Sequence, residues 1–131
     1  MKNITFADSI NSAIDVAMSI DKKVICYGLG TTDPKGIFGT TKGLEEKFGN
    51  ERVFDMPTSE NAMTGVAIGL AIGGFKTIMT HQRLDFFLLA MDQLVNSAAK
   101  MHYMFNGEIK VPLTIRLILG RGWGQGPTHS Q

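Results

Sequence analysis

Hydrophobic positions recur with two different periods along this chain, and the changes of period predict where helices and strands begin and end. Residues 5–20 repeat apolar side chains every three or four positions, as on one face of a helix. Thr5 and Asp8 stand three positions apart at the start of this run, which is the spacing of a capping pair. The sequence therefore predicts a first helix over residues 5–20, with the following residues on one face: Phe6, Ile10, Ala13, Ile14 and Ala17.

Short apolar runs bounded by glycine or charged residues are typical of buried strands, and helical periodicity fills several of the segments between them. A glycine- and proline-containing loop is expected over residues 28–41. The alternation predicts right-handed crossovers and a doubly wound α/β fold, with a mainly parallel sheet and helices on both faces. Strands are predicted at residues 23–28, 52–56, 75–82 and 111–119, and further helices at 42–49, from Glu60 onward, and at 84–105.

Composition and charge exclude several functional classes. The chain has 131 residues, the size of one domain, and its 13 basic and 12 acidic side chains leave a net charge of +1 without a basic run. Nucleic acid is therefore not an expected partner. The single cysteine, Cys26, excludes an intramolecular disulfide and lies in an apolar run, which predicts a buried, inert thiol. No apolar run approaches membrane-spanning length and no targeting pattern is visible, so we expect a cytoplasmic protein without a membrane partner.

Glu60 is the first candidate functional residue. Sheets of this kind bind ligands beyond the carboxyl ends of their strands, and Glu60 follows the strand predicted at residues 52–56. Gly65, Gly69 and Gly73 recur every fourth residue in its helix and would allow another helix or a backbone to approach closely. A carboxylate in a first helical turn can also be only a cap or a partner of the helix dipole, and that alternative stays open.

Aromatic residues and histidines give weaker signals. Phe86 lies in an apolar segment that can pack as core without any ligand. His129 follows a glycine-rich segment and can equally be a solvated histidine of the tail. His81 ends a predicted strand and His102 lies late in a predicted helix, so both are expected to be structural or exposed.

Four segments together resemble a known family. They are residues 41–60, "TKGLEEKFGNERVFDMPTSE", residues 84–100, "LDFFLLAMDQLVNSAAK", residues 111–116, "VPLTIR", and the closing "HSQ". In order and spacing they resemble the beta subunit of the thiamine-diphosphate-dependent dehydrogenase component of 2-oxo acid dehydrogenase complexes. Pyruvate, branched-chain 2-oxo acid and acetoin dehydrogenases share the pattern, and transketolases have a related pyrimidine-binding domain. The resemblance implies that residues 1–131 form most of such a domain and that its carboxyl-terminal companion domain is absent.

The resemblance also assigns roles to residues and names a cofactor, thiamine diphosphate. Glu60, preceded by Ser59, would bind the ring nitrogen of the cofactor's aminopyrimidine, and Phe86 would border that ring. His129 would face the reacting end of the cofactor, so Glu60 and His129 are the expected catalytic residues. A carboxylate on the distal ring nitrogen promotes the imino tautomer, whose nitrogen is the base that deprotonates the thiazolium carbon. In the family the alpha subunit holds the diphosphate and its magnesium ion, so no metal site is expected in this chain.

The implied function is a share in the oxidative decarboxylation of a 2-oxo acid, with acyl transfer to a lipoyl group. The implied partners are an alpha subunit, a second beta subunit and the lipoyl acyltransferase component, and the isolated chain is expected to be inactive. Two alternatives remain. One is a transketolase-like carbon-transfer enzyme, and the other is a noncatalytic assembly module whose glycine-lined helix only packs against a neighbour.

Two departures from the family pattern limit what the resemblance implies. Family members usually carry an acidic segment after the first strand, where this chain has Gly28-Leu29-Gly30. The usual Gln-Phe pair is replaced by Gln82-Arg83, which places a cation near the expected edge of the cofactor. The identity of the 2-oxo acid therefore stays open.

Overall fold

The computed structural model describes residues 3–120 together with residues 122, 124, 126, 127 and 129. Its described part contains a four-stranded sheet in the order β2-β1-β3-β4, and every neighbouring pair of strands is parallel. The predicted α/β fold is confirmed. The strands are β1 (Val24–Gly28), β2 (Val53–Asp55), β3 (Lys76–His81) and β4 (Leu113–Leu117). The α-helices are α1 (Phe6–Ile20), α2 (Gly36–Gly39), α3 (Leu44–Phe48), α4 (Glu60–Ile72), α5 (Leu84–Phe87) and α6 (Ala99–Met104).

The sheet separates two apolar clusters because alternate residues of β1 point to opposite faces. Ile25 and Tyr27 pack with residues of α4 and α5 on one face, whereas Val24 and Cys26 pack with residues of α1 and α3 on the other. Helices thus cover both faces, as the sequence predicted. The thiol of Cys26 is fully buried, as predicted, and burial raises its pKa to about 12.

Helix α1 begins with the predicted capping box. The Thr5 hydroxyl accepts a hydrogen bond of 3.1 Å from the Asp8 backbone N–H, and the Asp8 carboxylate accepts one of 3.3 Å from the Thr5 N–H. Ile14 and Met18 are buried beneath this helix. Phe6 is 83% exposed instead, so the buried stripe of the helix is shorter than the apolar stripe in the sequence.

The long helix predicted over residues 84–105 is divided in the structure. After α5, a 3-10 turn covers Leu88–Ala90, a π-helical segment covers Gln93–Ala98, and α6 follows. The wide π turn lies where Gln93 faces α4, and its amide Nε2 donates a 3.3 Å hydrogen bond to the Asn61 side chain. Periodicity detects a helical segment but not such a local change of pitch. None of the helices in the described part of the chain is long and apolar enough to cross a membrane.

The glycines of α4 have different surroundings. A Cβ atom added to Gly65 would lie 3.7 Å from the Gln93 side-chain oxygen, which is ordinary contact. A Cβ atom on Gly69 would meet nothing within 4 Å, and Gly73 is the C-cap of the helix. Among the three glycines predicted to allow close packing, Gly65 lies against another element of the described chain. Gly69 faces open space.

Candidate functional site

A cavity of about 300 Å³ lies at the carboxyl ends of the strands. The chain passes from β1 to β2 on one side and then to β3 on the other, so the strand order reverses between β1 and β3. In open α/β sheets this switch point is where ligands bind. Leu29 follows β1 and Met56 follows β2, and both contribute apolar wall to the cavity.

Glu60 lies on the cavity wall as the first residue of α4. It is only 8% exposed, and its carboxylate makes no hydrogen bond or ion pair with any residue that the structure describes. Its own backbone carbonyl accepts a 2.9 Å hydrogen bond from the Thr64 hydroxyl inside the helix. Buried carboxylates are normally paired, so this one is placed to meet a ligand.

Ser59 is the N-cap residue of α4 but does not share this position. It is exposed, its side chain makes no capping hydrogen bond, and it is not part of the cavity wall. The neighbouring Thr58 contributes to the wall instead.

His81, the last residue of β3, is a wall residue that the sequence analysis did not select. It is 1% exposed, and its ring meets the Phe87 ring edge-on, with the ring centroids 5.2 Å apart. Neither ring nitrogen has a hydrogen-bond partner among the described residues. Burial lowers the pKa of the imidazole, and the negative charge of Glu60 opposes that shift only in part. The signal available in the sequence was its place at the carboxyl end of a predicted strand.

Phe86 lies on the cavity wall and contacts His129. Phe86 lines the cavity and is 39% exposed, so it is not sealed in the core. The His129 ring meets it edge-on, with centroids 5.3 Å apart and planes at 87°. The structure thus places Phe86 on the wall with Glu60, whereas His129 contacts Phe86 but does not line the cavity. The other histidine considered, His102, is exposed and lies 2.9 Å from the Ile109 carbonyl oxygen.

The loop after β1 is held over the cavity by side-chain hydrogen bonds. Asp55, at the end of β2, accepts one of 2.6 Å from the Thr31 N–H and one of 2.7 Å from the Thr32 hydroxyl. Gly28 has φ +155°, and a Cβ atom there would lie 2.0 Å from the carbonyl oxygen of Thr80. Glycine is therefore required where the chain leaves the sheet, and the Leu29-Gly30 segment that replaces the acidic segment lies on the cavity wall.

Arg83 brings a cation to the same cavity. It is the N-cap residue of α5, and its Nη1 donates a 2.8 Å hydrogen bond to the Gln82 carbonyl. Within the described residues, no group of three or more His, Cys, Asp or Glu side chains could hold a metal ion.

Comparison with known proteins agrees with this fold. Residues 2–131 match the family model described as "Transketolase, pyrimidine binding domain". The pyruvate dehydrogenase E1 component subunit beta, mitochondrial, of Pisum sativum is 42% identical over 129 residues, which are 98% of this chain and 36% of that protein. The 2-oxoisovalerate dehydrogenase subunit beta of Pseudomonas aeruginosa is 36% identical over 98% of this chain and 37% of its own length. The pyruvate dehydrogenase E1 component subunit beta of Mycoplasma genitalium is 38% identical over 95% of this chain and 38% of its own length. The chain therefore spans little more than a third of each of these relatives.

Proposed function

Because the chain belongs to the transketolase pyrimidine-binding domain family, we propose that it binds and activates the aminopyrimidine of thiamine diphosphate within a 2-oxo acid dehydrogenase. The similarity to dehydrogenase beta subunits over almost the whole chain supports the dehydrogenase over a transketolase-like enzyme. The cytoplasmic location expected from the sequence remains a proposal, and the name of the pea relative includes the word mitochondrial.

The observation that carries this proposal is the Glu60 carboxylate, which is buried, on the cavity wall and without a partner in the described chain. A protonated or amino-substituted heterocycle offers the hydrogen-bond donor that such an acceptor lacks. Apolar side chains and the Phe86 ring provide flat surface for an aromatic ligand beside it. The residues of the cavity thus fit an aminopyrimidine.

The chemistry supplied by the bound cofactor is a thiazolium carbon that becomes a nucleophile after losing its proton. Glu60 contributes by holding a ring nitrogen and sharing a proton with it, which is general acid/base catalysis at a fixed position. The walls formed by Leu29 and Met56 limit water around that carboxylate and so strengthen its hydrogen bond. Phe86 would orient the ring, and His129, whose ring contacts that of Phe86, would face the reacting end, as the family resemblance implies.

The remaining parts of the proposed enzyme lie outside this chain. The diphosphate and magnesium would be held by an alpha subunit, and a second beta subunit and a lipoyl acyltransferase component would complete the assembly. The overall reaction would be oxidative decarboxylation of a 2-oxo acid with transfer of the acyl group to lipoyl, and the isolated chain would be inactive.

The variant Glu60→Gln tests this function in the assembled enzyme. Glutamine keeps the size and a hydrogen-bonding group but cannot share a proton, so proton exchange at the thiazolium carbon should fall about a hundredfold to ten-thousandfold. Glu45→Gln is the matched control, because Glu45 is also a carboxylate in a first helical turn, in α3. If Glu60 were only a partner of the helix dipole, both variants would lose a similar, small amount of stability and exchange would stay near normal.

A further inference from the structure

The cavity holds a second buried polar side chain that the proposed role of Glu60 does not use. His81 is 1% exposed on the cavity wall, and neither Nδ1 nor Nε2 has a partner within the described residues. Native proteins pair most buried polar groups, and an unmade hydrogen bond is a net cost to folding. A histidine in this place therefore needs a partner that does not belong to the described chain.

The surroundings of His81 define what that partner can be. One side of the ring is closed by Phe87, and Met79, two residues earlier on the same face of β3, is part of the apolar core. The His81 side chain forms part of the cavity wall, and the charge of Glu60 on the same wall acts on the imidazole. Because burial lowers its pKa, the ring is neutral near pH 7 and presents one N–H donor and one nitrogen acceptor.

We propose that His81 is a further ligand-contacting residue, whose ring hydrogen-bonds to the same nitrogen heterocycle that Glu60 binds. This inference rests on the proposed function and deepens it. An ionised Glu60 offers acceptors and no donor, whereas neutral His81 offers one donor and one acceptor, so the pair selects a planar ring with polar atoms on two edges. A ring with a single polar edge would leave one of the two side chains unpaired, and its binding would be weaker.

The variant His81→Leu separates a ligand contact from a structural histidine. It removes both ring nitrogens and keeps an apolar side chain in the core, so a merely structural His81 would give equal or higher thermal stability and unchanged binding. A ligand contact would give equal or higher stability together with an affinity for thiamine diphosphate about tenfold weaker. His81→Asn restores a donor and an acceptor and should recover part of the loss.

Thr77→Val is the matched control. Thr77 lies on the same face of β3, is 1% exposed, and its hydroxyl also lacks a partner in the described structure, but it is not on the cavity wall. Its replacement should leave affinity unchanged. Calorimetric titration of the assembled enzyme with thiamine diphosphate gives the affinities, and ¹⁵N NMR of labelled histidine gives an independent signal from the His81 ring.

Four outcomes decide between the possibilities. A tenfold loss in His81→Leu with a ligand-dependent shift of the wild-type His81 ¹⁵N signals supports the contact. The contact is overturned if His81→Leu binds thiamine diphosphate with wild-type affinity, or if the His81 ¹⁵N signals are unchanged when the enzyme is saturated with thiamine diphosphate. Either result would assign the partners of the ring nitrogens to buried water. If His81→Leu does not fold, the NMR signals of the wild-type enzyme decide alone. Absence of thiamine diphosphate binding by the wild-type enzyme refutes the proposed function of the cavity, and the inference with it.

Discussion

The Tyr27 hydroxyl donates a hydrogen bond of 2.7 Å to the backbone carbonyl oxygen of Met63 in the interior of the protein. It joins the carboxyl-terminal half of β1 to the first turn of α4, and Glu60 stands three residues before Met63. The Tyr27 ring is fully buried and stacks on Phe54 of β2 with centroids 5.2 Å apart. One side chain thus fixes the position of α4 relative to two strands.

Tyr27→Phe should lower the free energy of unfolding by about 0.5–1.5 kcal/mol, because it removes this buried hydrogen bond and keeps the ring. Urea denaturation followed by circular dichroism measures the change. Tyr103→Phe is the control, since Tyr103 is 89% exposed and should give no shift in midpoint. Equal stabilities of the two variants would contradict the role of the Tyr27 hydroxyl.

Gly28→Ala should be more destabilising than an ordinary glycine substitution at positive φ. Its Cβ atom would overlap the Thr80 carbonyl, which belongs to the backbone of β3 and cannot move aside cheaply. Gly39→Ala provides the comparison, because Gly39 has φ +85° with open space around it. We expect about 1 kcal/mol from the left-handed backbone alone at Gly39 and a distinctly larger loss at Gly28. Thermal unfolding of both variants tests the difference.

Arg52 should be a major contributor to stability outside the cavity. Its guanidinium donates to the carbonyl oxygens of Met18, Asp21 and Val24 at 2.8–3.1 Å, and so binds the end of α1 to the start of β1. Arg52→Ala should cost about 2–3 kcal/mol, because these carbonyls lose a charged donor. Lys47→Ala removes the exposed ion pair with Asp15 and should cost at most about 1 kcal/mol. Similar losses in chemical denaturation would show that Arg52 is no more than a surface charge.

The Cys26 thiol should resist alkylation in the native protein. Burial raises its pKa from 9.0 to about 12, so at pH 9 about half of an unfolded thiol is the reactive thiolate but almost none of the native one. Iodoacetamide should therefore modify the folded chain only as fast as the chain opens. Labelling in denaturant, followed by mass spectrometry, gives the reference rate. Comparable rates with and without denaturant would mean that Cys26 is accessible.

Much of the fold was predictable because local signals and long-range packing agree. The capping pair at Thr5 and the short apolar run of β1 are properties of short segments, and the structure confirms the capping box and the buried strand that they predict. The division of residues 84–105 was not predictable, because helical pitch there depends on contacts with α4 that are distant in sequence. The exposure of Phe6 likewise depends on how far the opposing elements extend.

The candidate site was predictable to a lesser extent. Glu60 was selected by its position after a strand, and Phe86 by resemblance, and both lie on the cavity wall. His81 was not selected, because the sequence does not show which face of the strand a terminal histidine occupies. Nor does the sequence show whether its ring nitrogens have hydrogen-bond partners. Only the folded arrangement of β1, β2 and β3 shows that the ring nitrogens of His81 have no hydrogen-bond partner among the described residues.

The π-helical segment at Gln93–Ala98 has a consequence for sequence comparison. An α-helix turns about 100° per residue, and a single π-type turn takes in one extra residue. Side chains of α6 are therefore rotated by about that angle from where an unbroken helix would direct them. Helical-wheel projections carried through this segment assign Tyr103 and its neighbours to the wrong face. A homologue with one residue fewer here could keep both flanking faces in phase by reverting to regular α-helix, so a gap at this point of an alignment is compatible with an unchanged fold.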